Sequence, residues 1–296
     1  MNIVVIGPGA IGSLWATSLQ HAGHQVSLWS RQQAHHISLQ LNDSPALGFQ
    51  HNDLDSTRRA DLILVTVKAW QIEQAIAPVI KYIDPNCMLM LMHNGMGAVD
   101  SILPQVKHLP VLLATTSHGA YRPSPQRVLH TGQGRTQIGG YNELGKRCTF
   151  ICDVFNHALP ECEWFDDIEQ ALWQKLTVNC AINPLTALGN CKNGQLGKAR
   201  YQADISAVVK EAVAVMQAEG LNADLTSLTH TVQQVITATA NNFSSMQQDV
   251  FYTRKTEIDF ITGYLLKRAQ HHGIATPVNQ RLYQAIKQQE PVIQTK

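Results

Sequence analysis

The chain has 296 residues, and at roughly 150 residues per domain this length predicts two domains. Hydrophobic residues make up 44% of the composition and charged residues 15%, which excludes a disordered chain, because disorder needs low hydrophobicity and high charge. Lys and Arg total 23 and Asp and Glu total 22, so the net charge of +1 excludes a bulk attraction to nucleic acid or to an anionic membrane.

The first half of the chain alternates between apolar runs rich in Val, Ile and Leu and segments with helical spacing. We expect strands at 2–6, 25–29, 61–67, 87–92 and 110–114. We expect helices between the early strands, at 10–22 and 69–82. Continuous apolar strands separated by helices predict a parallel sheet that is covered on both faces. Two shorter strands joined by a Gly turn follow at 126–131 and 135–139, so 1–166 is predicted to be an α/β domain.

The second half of the chain loses the strand pattern from about residue 167. Apolar residues recur at helical spacing in four segments, at 168–183, 204–219, 225–241 and 255–272. Gly220 and Gly273 stand where C-terminal caps of two helices are expected. The last segment carries acids in its first turn and bases in its last, as the helix macrodipole favours. An all-helical domain is therefore predicted over 167–296.

Nothing in the sequence indicates a targeting signal, a membrane span or a metal site. The chain starts M-N-I-V-V-I-G without a basic leader, and its longest apolar stretches fall far short of the roughly 20 residues that a span needs. Six cysteines include no C-x-x-C pair, and the 13 histidines show no ligand spacing. We expect a soluble cytoplasmic protein with reduced thiols and no metal, nucleic acid or membrane partner.

A glycine motif, G-P-G-A-I-G, lies directly after the first strand and opens the first helix. In this context Gly7 allows the tight turn, Gly9 lets the backbone approach a pyrophosphate, and Gly12 permits close packing of helix on strand. The alternative is a strand-to-helix turn that binds nothing. The residues assigned to cofactor binding are Gly7, Pro8, Gly9, Ala10, Ile11 and Gly12.

The end of the second strand indicates which nucleotide is bound. An NAD-binding strand ends on an acid that contacts the ribose, but this strand ends L-W-S-R with no Asp or Glu nearby. Arg31 can pair with a 2′-phosphate and Ser30 can add a hydrogen bond, which favours NADP. The alternative is that Arg31 is a solvated loop cation.

Lys175 is the only charged residue between Glu169 and Lys192. With Asn179 and Asn183 it forms an i, i+4, i+8 stripe along one side of a predicted helix, which Pro184 should end or kink. Such a stripe suggests a site for a polar small molecule, in which a partly desolvated lysine acts as a general acid. The alternative, of equal weight, is a lysine that reaches solvent beside amides that cap or cross-link helices.

Two further strand ends carry polar residues. The segment H-N-G-M-G at 93–97 follows one apolar strand, and V-K-A-W at 67–70 places Lys68 at the end of another. Ligands bind at the carboxyl ends of strands in open α/β sheets, although either segment could be an ordinary turn.

Assembled in order, these stretches resemble the 2-dehydropantoate 2-reductase (ketopantoate reductase) family, to about residue 287. The resemblance rests on G-P-G-A-I-G, V-T-V-K-A-W-Q, H-N-G-M-G, L-W-Q-K-L-T-V-N-C-A-I-N-P-L-T-A, C-K-N-G, S-S-M-Q-Q-D and T-E-I-D-F-I-T-G. It implies a Rossmann-type, doubly wound, mainly parallel sheet followed by a helical domain, with the active site in the cleft between them. It also implies reduction of 2-dehydropantoate by NADPH to (R)-pantoate, in pantothenate and coenzyme A synthesis. We expect a monomer or a homodimer.

The resemblance also implies roles for individual residues. Lys175 would donate the proton to the keto oxygen, and Glu257 would be the second catalytic residue and would help to place substrate and cofactor. The residues implied to bind substrate are Asn94, Lys175, Asn179, Asn183, Asn193 and Ser245. The residues implied to contact the cofactor outside the glycine turn are Arg31, Lys68, Asn94, Ala120 and Glu257, with Asn94 between nicotinamide and substrate.

Two other functions stay open at this point. One is a related NADP-dependent 2-oxo- or 3-hydroxy-acid dehydrogenase with another substrate, since fold and lysine chemistry are shared more widely than the pocket. The other is a non-catalytic NADP sensor. The presence of Lys175, Glu257 and the asparagines argues against a sensor, which needs no proton donor.

Overall fold

The computed structural model describes residues 1–291 and divides the chain into two compact units. Unit 1 consists of Met1–His93 and Ala98–Ile168. Unit 2 consists of Asn94–Gly97 and the described residues from Glu169 onward.

Unit 1 is built on one mixed sheet. Within the described residues its strands are β1 (Asn2–Ile6), β2 (Gln25–Trp29), β3 (His36–Leu41), β4 (Leu47–His51), β5 (Leu62–Val65), β6 (Met88–Met92), β7 (Val111–Thr116), β8 (Gly119–Ser124), β9 (Arg127–Gly132), β10 (Thr136–Gly140) and β11 (Cys162–Trp164). They lie in the order β11-β10-β7-β6-β5-β1-β2-β4-β3-β9-β8. The helices of unit 1 are α1 (Ala10–His21), α2 (Leu54–Arg58), α3 (Ile72–Ile76), α4 (Leu103–Val106) and α5 (Ile151–Ala158).

The centre of the sheet is parallel, as predicted. Strand β1 pairs in parallel with β2 and β5, and β6 pairs in parallel with β5 and β7. Every residue of β5 and of β6 is buried, because the sheet is covered on both faces. The predicted α/β class is therefore confirmed.

Unit 2 is helical, which confirms the second part of the predicted fold class. Its helices are α6 (Ile168–Leu188), α7 (Ala199–Ala218), α8 (Leu225–Ala238), α9 (Ser245–Phe251), α10 (Thr262–His271) and α11 (Pro277–Gln289). The core of this unit is formed around the buried side chains of Trp173, Val209 and Leu265. None of the helices within residues 1–291 is long and apolar enough to cross a membrane.

Several predicted elements differ in the structure. The helix expected at 69–82 is interrupted after Ile76, because Pro78 has no amide proton for the helical ladder. The strands expected at 126–131 and 135–139 exist as β9 and β10 but do not pair with each other, since β9 pairs with β3 and β8, and β10 with β7 and β11.

Two further differences affect unit 2. Helix α6 continues through Pro184 to Leu188, so Pro184 does not end it, and the Thr186 hydroxyl donates to the carbonyls of Ile182 and Asn183 in the same turn. The helix expected at 255–272 begins only at Thr262. The acids of its expected first turn lie in the preceding loop, where the Thr256 hydroxyl accepts a hydrogen bond from the Ile258 amide and competes with helix formation.

Glycines pack the start of α1 tightly against β5. A Cβ on Gly12 would lie 2.3 Å from Thr66 Oγ1 and 2.4 Å from the Gly7 carbonyl oxygen. The Thr66 hydroxyl also donates to that carbonyl at 2.8 Å, so neither neighbour can withdraw without losing a hydrogen bond. Position 12 therefore requires glycine because a larger side chain would clash with Thr66 and Gly7, whether or not a ligand binds there.

The substitution Gly12→Ala should lower the free energy of unfolding by about 1–3 kcal/mol, the usual cost of overpacking. Urea unfolding at 25 °C measures this change. Gly48→Ala is the matched control, because a Cβ on Gly48 meets nothing within 4 Å. Equal stability of the two variants would mean that α1 can shift to accept the methyl group.

Candidate active site

The turn between β1 and α1 leaves the start of a helix open for an anion. Gly7 adopts a φ of +86° and its amide donates to the Trp29 carbonyl at 2.9 Å, which joins the turn to the end of β2. Within the described residues no side chain caps the N-terminus of α1 at Gly9. A Cβ on Gly9 would meet only the Gly7 carbonyl, at 3.9 Å, so the space beside it is open. Helix-start amides with open space beside them fit the pyrophosphate of a dinucleotide.

The parallel register brings three of the predicted cofactor residues to one edge of the sheet. Ile6 of β1 lies opposite Trp29 of β2 and Val65 of β5. Gly7, Arg31 and Lys68 follow these three strand ends, so all three lie at the carboxyl edge, where dinucleotides bind in open sheets.

The loop that carries Arg31 is anchored by hydrogen bonds to residues at the end of β4 and directly after it. The Ser30 hydroxyl lies 2.9 Å from Nε2 of buried His51, whose Nδ1 lies 2.7 Å from the Ala34 carbonyl oxygen. Asn52 accepts from the Ser30 amide at 3.0 Å. Arg31 itself is exposed at the tip of this anchored loop.

Arg122 contacts the glycine turn, and sequence reasoning missed this residue. Its guanidinium donates to the carbonyls of Pro8, in the glycine turn, and of Pro125. Burial lowers the pKa of Arg122. Ala120 lies two residues earlier on β8, opposite His130 of β9. No local motif marks Arg122, because its contact with Pro8 exists only once β8 lies beside α1.

In unit 2 the predicted polar stripe lies along α6. Lys175 and Asn179 are partly buried, and Asn183 is buried. The same helix buries Trp173, Leu176 and other apolar side chains in the core of the unit. The stripe is therefore the polar side of a helix that otherwise packs in the interior.

Lys175 is paired electrostatically with Glu257. Burial lowers the pKa of Lys175 to about 8, and the Glu257 carboxylate raises it against that effect. Glu257 is itself buried, and its Oε2 accepts a hydrogen bond from Asn94 Nδ2 at 3.3 Å. The structure thus brings together the two predicted catalytic residues and Asn94.

The loop that carries Glu257 is joined to the segment that carries Asn94. The Met96 amide donates to the Phe260 carbonyl at 2.8 Å. Gly95 has a φ of +81°, and a Cβ there would lie 2.3 Å from the same carbonyl oxygen. The Glu257 carbonyl in turn accepts from the amides of Phe260 and Ile261. The H-N-G-M-G and T-E-I-D motifs therefore form one interlocked structure within unit 2.

The remaining predicted substrate residues also lie in unit 2. Buried Asn193 donates to Thr239 Oγ1 at 2.8 Å, and its Oδ1 has no hydrogen-bond partner within the described part of the chain. Ser245 is exposed as the first residue of α9. Its neighbour Ser244 caps this helix and lies 2.7 Å from the Thr186 hydroxyl of α6. The substrate roles of Asn193 and Ser245 stay predictions.

The described residues contain no group of three or more His, Cys, Asp or Glu side chains that could hold a metal ion. The groups described above in unit 2 are an ammonium, a carboxylate and several amides, and unit 1 contributes a helix start with no side-chain cap among the described residues.

Sequence comparison places these residues in a known family. A model described as ketopantoate reductase PanE/ApbA matches residues 3–143, and one for the C-terminal part of the same family matches residues 167–290. The 2-dehydropantoate 2-reductase of Vibrio cholerae is 55% identical over 287 residues, covering 97% of each chain. The chain belongs to the ketopantoate reductase family. The 2-dehydropantoate 2-reductase of Salmonella typhimurium is 40% identical and covers 98% of this chain and 95% of its own.

Solved structures agree with this family assignment. A PanE/ApbA family ketopantoate reductase from Ralstonia eutropha is 26% identical, with a TM-score of 0.85 over 98% of both chains. A probable 2-dehydropantoate 2-reductase from Bacillus subtilis is 30% identical, with a TM-score of 0.80 over 97% of this chain and 99% of its own. A D-mandelate dehydrogenase in complex with NADH and anilino(oxo)acetate shares the fold, with a TM-score of 0.88 at 21% identity over 98% of both chains.

The pairing of Lys175 with Glu257 predicts a measurable change in titration. In the wild-type chain Lys175 should titrate near pH 8, and Glu257→Gln should lower this pKa, because the substitution removes the carboxylate that favours the ammonium. NMR of protein labelled with ¹³C at lysine Cε, with the signal assigned by Lys175→Met, measures both values. An unchanged titration in Glu257→Gln would show that the two side chains are not coupled.

Proposed function

We propose that this member of the ketopantoate reductase family reduces 2-dehydropantoate to (R)-pantoate with NADPH, and that Lys175 donates the proton. The observation that carries the proposal is the half-buried Lys175, whose pKa is lowered to about 8 beside the buried Glu257. Reduction of a ketone leaves negative charge on oxygen, and an ammonium that stabilises and then protonates this oxygen lowers the barrier.

The lowered pKa suits a general acid at neutral pH. At pH 7 a lysine with a pKa of about 8 is still mostly protonated, yet it gives up its proton far more readily than an ordinary lysine. The Glu257 carboxylate holds the ammonium in place, and the Asn94 amide holds the carboxylate. We assign to Asn179, Asn183, Asn193 and Ser245 hydrogen bonds to the hydroxyl and carboxylate of the substrate.

The residues of unit 1 fit a phosphorylated dinucleotide. NADPH bound at the glycine turn would supply the hydride. The amides at the start of α1 would hold the pyrophosphate, and Lys68 would lie toward its phosphates. No acid stands at the end of β2, and the exposed guanidinium of Arg31 can pair with a 2′-phosphate through two parallel hydrogen bonds. This chemistry favours NADP over NAD.

The decisive assay follows oxidation of NADPH with 2-dehydropantoate beside 2-oxoisovalerate and other 2-oxo acids. Turnover with 2-dehydropantoate far above that with the other acids supports the proposal. Turnover with another acid alone would identify a related dehydrogenase that keeps the lysine chemistry. Tight NADPH binding without turnover of any acid would favour a non-catalytic sensor.

Lys175→Met should lower kcat by at least about 100-fold, since general acid catalysis contributes roughly that much or more, while NADPH affinity changes little. Steady-state kinetics and fluorescence titration with NADPH measure the two effects. Lys192→Met is a matched control, because Lys192 lies beyond α6, where its ammonium stacks over the exposed Phe243 ring. Near-normal kcat in Lys175→Met would remove Lys175 as the acid.

Arg31→Ala should raise the KM for NADPH at least about tenfold and leave the KM for NADH nearly unchanged, because charged hydrogen bonds contribute roughly 1.5–3 kcal/mol each. Arg58→Ala, which removes an exposed cation of the same unit, should change neither KM. Equal effects of Arg31→Ala on both cofactors would mean that Arg31 does not contact the 2′-phosphate.

A further inference from the structure

A buried carboxylate at the end of α11 contacts the loop that carries Glu257. The Glu290 side chain is only 8% exposed. Its Oε1 accepts hydrogen bonds from both the amide and the hydroxyl of Thr256, at 2.8 and 2.7 Å, and its Oε2 accepts from Lys287 Nζ at 2.7 Å. A buried carboxylate is costly unless it is paired, so these donors define one position for it.

The hydrogen bonds of Thr256 link the Glu290 carboxylate to the backbone beside Glu257. Thr256 immediately precedes Glu257 and is fully buried. While its amide and hydroxyl donate to Glu290, its hydroxyl oxygen accepts from the Ile258 amide at 3.1 Å. The backbone on either side of Glu257 is thus fixed through a single threonine.

Helix α11 makes a second contact with the loop that carries Glu257, at Asp259. This carboxylate accepts from the Tyr283 hydroxyl at 2.8 Å and from Lys287 Nζ at 3.0 Å. Burial opposes the charge of Lys287, but its hydrogen bonds to Glu290 and Asp259 outweigh this, and its pKa is raised. Lys287 therefore joins the Glu290 carboxylate to that of Asp259, which lies two residues after Glu257 in the sequence.

We propose that Glu290 is a positioning residue, which holds the Glu257 carboxylate beside the Lys175 ammonium by fixing Thr256. The proposal rests on the catalytic role proposed above for Glu257. Glu290 contributes nothing to substrate or cofactor binding itself. Loss of its acceptor oxygens frees the Thr256 backbone, and Glu257 then moves away from Lys175. A misplacement of about 1 Å can cost roughly 100-fold in rate, so the effect falls on the chemical step.

The test compares two substitutions of Glu290. Glu290→Ala removes both acceptors and should lower kcat at least about tenfold, while the KM for NADPH changes less than about twofold. The basic limb of the kcat–pH profile should also move to lower pH, because the carboxylate that raises the pKa of Lys175 is displaced. Glu290→Gln keeps one acceptor for Thr256 and should recover most of the lost kcat. The assay uses the full chain and the 2-oxo acid that the wild type reduces fastest, below the unfolding temperature of each variant.

Two controls separate positioning from stability. Arg281→Ala removes an exposed ion pair between α11 and Asp204 of α7, so it loosens the same helix without touching Thr256, and it should leave kcat and the pH profile unchanged. If Glu290→Ala does not fold, Thr256→Val and Thr256→Ser replace it, because valine loses both the hydroxyl donor to Glu290 and the acceptor for the Ile258 amide, whereas serine retains both. Loss of kcat in the valine variant with recovery in the serine variant supports the proposal.

Three results would overturn the inference. Wild-type kcat and pH profile in Glu290→Ala, even with a lowered unfolding temperature, would make Glu290 a stabilising anchor only. An equal loss of kcat in Arg281→Ala would assign the effect to general loosening of α11. Glu257→Gln serves as the reference: wild-type kcat there would refute the role of Glu257 and this inference with it, whereas loss there with wild-type kcat in Glu290→Ala refutes the inference alone.

Discussion

The burial of the Lys175 ammonium beside the Glu257 carboxylate is the interaction on which the polar site of unit 2 depends. Burial removes hydration from the Lys175 ammonium, and this lowers its pKa to about 8. The same burial would be prohibitive for the carboxylate without donors nearby, and Asn94 supplies one. The pair thus requires that three distant segments of the chain meet, and the fold of unit 2 provides that meeting.

Backbone hydrogen bonds and glycine make this meeting possible. The segment Asn94–Gly97 follows β6 in the sequence but belongs to unit 2, where Met96 packs in the helical core and donates to Phe260. Gly95 tolerates the positive φ and the close carbonyl that this approach requires. On the other side of the loop, α11 supplies the carboxylate of Glu290 to Thr256. The loop from Thr256 to Ile261 is consequently not helical, although its charges suit the first turn of a helix.

Unit 1 follows a different constraint, the parallel register of its central strands. Because β1, β2 and β5 run in the same direction, Gly7, Arg31 and Lys68 follow strand ends at one edge. The two glycines have different roles. Gly12 is needed for packing against Thr66, whereas Gly9 leaves open space beside the start of α1. A helix start with open amides and a nearby cation is a general solution for binding a phosphorylated nucleotide.

Local sequence by itself determined the features that repeat at the period of one helix or one strand. The central parallel strands, α1, the glycine turn and the Lys175–Asn179–Asn183 stripe could all be predicted, because apolar spacing and glycine positions act within a few residues. Only the tertiary structure decided β3, which pairs between β4 and β9 and most of whose residues are partly or fully exposed, and the non-helical loop around Glu257. Contacts such as Arg122 with Pro8 and Glu290 with Thr256 join residues 114 and 34 positions apart. These contacts depend on which distant segments pack together, and the local spacing of residues carries no information about that packing.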